Sequence, residues 1–145
     1  MTTENSQFIL NIETSGEACL VGLGTVGKGI ISCSEKLTSN KHAEILAYET
    51  EEILRMASIE AEELNALAVS IGPGSFTGLR IGLSFAKGLA FALHIPIMGI
   101  STFEIVAGLK SDDLSEGDIL MSQWTQEEMR SFARLFNIPK EELKR

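Results

Sequence analysis

Histidine and cysteine, the side chains that most often build metal or nucleophilic centres, are nearly missing from this 145-residue chain, which has only His42 and His94, Cys19 and Cys33. Two cysteines with no histidine beside them do not complete a tetrahedral zinc site, and histidines this far apart form no local zinc motif. Cys19 and Cys33 lie in apolar or β-branched runs and read as small buried thiols. His42 reads as a surface or interface residue near a helix start, and His94 as a residue just past a helix end, beside the negative pole of its dipole. Long apolar runs are also lacking, since none approaches the roughly 20 residues needed to span a bilayer. The opening MTTENSQ has no basic stretch leading into an apolar one, so no signal peptide and a cytoplasmic location are expected. Basic residues are few, 12 against 20 acidic, and the net charge is -8. The excess is shared along the chain, and a negative field repels phosphate backbones, so any RNA role is expected to be indirect.

What is present is the make-up of a folded domain, 44% hydrophobic and 22% charged, at a length that suits one compact core. There is no internal repeat and no low-complexity tract. Residues 8–14 (FILNIET), 18–23 (ACLVGL) and 29–34 (GIISCS) read as three short strands joined by turns, a β-meander. From about 39 to 57 the spacing becomes helical, with Leu46, Ile53, Leu54 and Ala57 on one face and Glu44, Glu51, Glu52 and Arg55 mostly elsewhere. Residues 66–71 (ALAVSI) read as a buried strand stopping at Gly72-Pro73-Gly74, 78–93 as a helix and 97–100 as another buried strand. Strand, helix, strand in that order implies a right-handed parallel crossover. A further helix is expected from near Thr102 to about Leu109, and residues 110–118 read as a charged linker. Thr125 and Glu128 then make a capping box, with Trp124 and Met129 as its staple, for a helix over about 126–136.

Two glycine patterns invite a phosphate-binding reading. Residues 22–27 (GLGTVG) match G-x-G-x-x-G and, with Lys28, nearly match a P-loop. Both mechanisms need the loop to open into a helix, whereas here it runs into Gly29, Ile30 and Ile31, so a hairpin turn is the better reading. Ser75 has the wrong glycine spacing for a nucleophile elbow, which leaves a protease or esterase with little support.

The informative block is SIGPGSFTGLRIG and the residues up to Pro96. Gly72, Gly74 and Gly78 let the chain turn sharply off a strand, and Ser75 or Thr77 is placed to cap the helix that follows. Gly78, Gly82, Ala86 and Ala90 recur every four residues, a smooth stripe that suits packing either against the chain's own sheet or against a partner helix.

FILNIETSGEACLVGL, the central KHAEIL and IGPGSFTGLRIGLSFAKGLAFALHIPIMGIST, in this order and spacing, resemble the bacterial TsaB (YeaZ) family over about residues 8–109. The resemblance implies an α/β fold: the N-terminal subdomain of the actin-like class that includes sugar kinases and Hsp70, a three-stranded meander followed by alternating helices and strands. Residues 1–109 would be this subdomain and 110–145 a linker and helical tail. The implied role is non-catalytic, in making N6-threonylcarbamoyladenosine at position 37 of tRNA. The implied partners are the related catalytic protein TsaD, met through a helical interface, and the ATPase TsaE, with TsaC supplying the threonylcarbamoyl-adenylate. Carried over to this sequence, the interface would draw on His42, Leu46, Ile53, Leu79, Gly82, Leu83 and Ala86.

TsaD itself carries a metal-binding H-x-x-x-H, and the matching positions here are Thr102 and Val106, which offer no imidazole. Glu13 stands where actin-like domains commonly have Asp in the first phosphate loop. With Thr14, Ser15 and Gly16 it leaves room for weak ATP or ADP binding, alongside the glycine-rich loop of Gly72, Pro73, Gly74, Ser75, Phe76, Thr77, Gly78 and Arg80. Family members continue into a second subdomain that the 36 residues after Leu109 are too few to supply, and nucleotides in this class bind between the two halves. Beside the scaffold reading stand two others: a small nucleotide-binding or phosphotransfer enzyme, and a self-associating module using the face from Gly78 to Ala90.

Overall fold

The computed structural model describes residues 6–37 and 41–105. Five strands form one sheet in the order β3-β2-β1-β4-β5: β1 Phe8–Glu13, β2 Ala18–Thr25, β3 Gly29–Leu37, β4 Leu64–Ser70 and β5 Ile97–Ile100. The meander β1-β2-β3 is antiparallel, while β1 with β4 and β4 with β5 are parallel, as the strand-helix-strand order requires. Helices α1, His42–Ala57, and α2, Phe76–Leu93, supply the connections, with a short 3-10 turn at Ala61–Glu63 leading into β4.

Alternation along the strands selects the core face. Leu10 and Ile12 of β1 stand opposite Leu23 and Val21 of β2 and opposite Leu67 and Val69 of β4, and all six are buried. Onto this face α1 packs over β2 and β3, α2 packs over β4 and β1, and the two helices touch. Fully burying a leucine or isoleucine contributes roughly 1.5–3 kcal/mol, so the rows at 10/23/67 and 12/21/69, with Leu46 and Ile53 from α1, form the main apolar contribution.

Helix boundaries follow from side-chain chemistry. Ser75 caps α2, its hydroxyl accepting from the Gly78 N–H at 3.1 Å. The helix closes at His94 in the left-handed region (φ 56), whose N–H returns to the Ala90 carbonyl, and His94 is exposed at the end where it was expected. A new helix opens at Thr102 with Ser101 and Glu104 as a reciprocal cap, since Ser101 Oγ accepts from Phe103 N–H and Glu104 Oε2 from Ser101 N–H.

Several expectations are refined. The second and third strands run on to Thr25 and Leu37, and α2 starts two residues earlier than its apolar spacing suggests. Cys33 is exposed, not buried, because β3 is an edge strand whose residue 33 lies on the side away from α1. His42 is only 8% exposed, tucked in at the start of α1 instead of on the surface. Gly27 and Gly29, both with positive φ (83 and 79), make the β2–β3 hairpin turn and open no helix. The predicted boundary at 109/110, the linker, the capping box at 125–128 and the helix over 126–136 lie outside the described residues.

Candidate functional site

Two loops meet at the carboxyl ends of the parallel strands, where open α/β sheets usually bind ligands. The loop after β1 holds Thr14, Ser15 and Gly16; the loop after β4 holds Gly72, Pro73 and Gly74. They are clasped together. The Ser75 N–H donates to Ser15 O at 2.6 Å, and a Cβ on Gly74 would lie 2.5 Å from that same oxygen. Gly74 is therefore glycine because Ser15 occupies its side-chain space. Gly72 is glycine because its φ is 103.

Among the residues with nucleotide-binding potential, Glu13 turns its carboxylate onto its own loop, Oε1 accepting the Ser15 N–H at 2.5 Å, and Oε2 is buried without a partner. An amide of the kind that cradles a phosphate is thus taken by a carboxyl oxygen of the chain itself. Thr14 is fully buried, and its hydroxyl donates to Gly78 O at 2.8 Å. Only Gly16 of the four is exposed.

The small-residue stripe faces inward. Gly78, Gly82, Ala86 and Ala90 are the buried residues of α2, and Cβ atoms on Gly78 and Gly82 would fall onto the Thr14 carbonyl oxygen and hydroxyl. This settles the choice between own sheet and partner helix in favour of the sheet. Of the residues expected at a partner interface, His42, Leu46, Ile53, Gly82 and Ala86 are buried and Leu79 and Leu83 are half-buried.

The surface that the helices do offer is on their outer side. A groove of about 360 Å³ runs between them, lined by Ala43, Leu46, Arg80, Ile81, Ser84 and Phe85. Large apolar side chains stand out on the same two helices: Tyr48 and Met56 on α1, Phe76 and Phe91 on α2, the last 82% exposed. The Arg80 guanidinium lies 4.2 Å above the Phe76 ring. By length and composition α2 is apolar enough to cross a membrane, but its glycine-alanine stripe is packed on the sheet.

A third feature was not foreseen. Glu49, buried on α1, accepts from the Ser34 hydroxyl and lies 3.8 Å from Lys36 Nζ, tying the helix to the edge strand β3. Burial, with the Glu49 charge second, pushes the Cys19 thiol from 9.0 up to about 11. The described residues hold no group of three or more His, Cys, Asp or Glu suited to a metal ion.

Comparison with known proteins fits this geometry. The family model of TsaD, tRNA N6-adenosine threonylcarbamoyltransferase, matches residues 33–113. The tRNA threonylcarbamoyladenosine biosynthesis protein TsaB of Escherichia coli is 37% identical over 99 residues, 68% of this chain and 42% of that protein. The TsaB of Buchnera aphidicola is 36% identical over 117 residues, 81% of this chain and 52% of that protein. The solved structure of YeaZ from Pseudomonas aeruginosa superposes with a TM-score of 0.67 at 32% identity, covering 74% of this chain and 49% of that one. The chain spans about half the length of these relatives.

Sheet order, parallel crossover and loop pair define an actin-like α/β subdomain. The chain belongs to the TsaD-type family, in its TsaB (YeaZ) branch.

Proposed function

We propose that this chain is a non-catalytic subunit that pairs with a TsaD-like transferase and supports formation of N6-threonylcarbamoyladenosine on tRNA. The observation that carries the reading is the outer side of α1 and α2, which holds an open groove lined by Ala43, Leu46, Arg80, Ile81, Ser84 and Phe85 and leaves Tyr48, Met56, Phe76 and Phe91 exposed elsewhere on the same helices. Exposed aromatic and methionine side chains are enriched where proteins meet. The pathway comes from the names of the relatives, which are biosynthesis proteins for this modification.

In this reading tRNA is held mainly by the partner, because a chain of net charge -8 repels phosphate. A TsaE-like ATPase joins the pair, and the complex works in the cytoplasm. Any ATP or ADP binding at the Thr14–Gly16 loop is weak in this reading, because Glu13 already occupies the Ser15 amide that a phosphate would seek.

Light scattering on a size-exclusion column, with the chain alone and then mixed with TsaD from the same source, tests the pairing. The expected result is a one-to-one complex, and modification of tRNA by the reconstituted enzymes that rises when the chain is added. An unchanged elution profile with no stimulation would sink the proposal.

A further inference from the structure

We draw no further inference here: the strongest candidate, the open edge of β3, where Ile30, Ile31 and Leu37 stand exposed beside Cys33, carries no proposal because nothing among the described residues shows what covers it.

Discussion

The Thr14 hydroxyl donates to the carbonyl oxygen of Gly78 at 2.8 Å, joining the end of β1 to the first turns of α2 across 64 positions of sequence. The same residue fills the space beside two glycines, its backbone oxygen against Gly78 and its side chain against Gly82. The stripe of small residues therefore holds α2 down on the sheet, and the helix is left to meet the outside with its other face.

Alanine at these glycines should sort by what it strikes. At Gly82 the new methyl meets the side chain of Thr14, and overpacking of this kind costs about 1–3 kcal/mol. At Gly78 it meets the Thr14 backbone oxygen, so strand and helix must separate, and the loss should be larger. Thr14→Ala combined with Gly82→Ala should recover part of the loss, while combined with Gly78→Ala it should not. Urea unfolding of the single and double variants measures this, and equal rescue at both positions would refute the assignment.

Ser75 supplies the cap of α2 through the Gly78 amide. Ser75→Ala should lower stability by about 1 kcal/mol, and Ser75→Asp, which keeps an acceptor at the positive end of the helix, should restore it. A thermal melt of the three chains decides the point.

The two thiols should behave unlike one another. Cys33 is exposed on the edge strand, whereas the Cys19 thiol is buried and pushed up to about 11, first by burial and then by the Glu49 charge. Thiolate is the reactive form, so at mildly alkaline pH a disulfide reagent should label Cys33 quickly and Cys19 only after denaturant is added. Glu49→Gln should bring the Cys19 thiol down only part of the way towards 9.0, because burial, the larger cause, remains. Rapid labelling of both thiols in the native chain would contradict the burial of Cys19.

The strands and α2 were legible because apolar runs end at glycine and proline, but the run at 97–100, expected as a buried strand, is the edge strand β5 with no buried residue, and β3 at the other edge is largely exposed. The last residues of β3, Glu35, Lys36 and Leu37, gave no such signal, since an edge strand can keep polar side chains in water. The anchoring of Glu49 by Ser34 and Lys36 was equally hidden, because it joins positions that only the fold brings together. The candidate site was half legible. A spacing of four occurs both in Gly78, Gly82, Ala86 and Ala90 and in Ser84, Gly88 and Ala92, and periodicity alone does not say which row meets the sheet. Thr14 decides it, from the far end of the sequence.

That decision changes which substitution tests pairing. Gly82→Arg would place a long cation onto Thr14 in the interior, so loss of a complex would only report loss of the fold. Ser84 is exposed, lines the groove and lies in a helix that tolerates arginine well, so Ser84→Arg should change stability by no more than about 0.5 kcal/mol. The bulky side chain would nonetheless stand where the partner is expected. Circular dichroism melts should then overlay for wild type and Ser84→Arg, while light scattering should find the variant no longer joined to TsaD. A Ser84→Arg chain that melts normally and still pairs would remove the groove from the interface and direct attention to Tyr48 and Met56 on the α1 side.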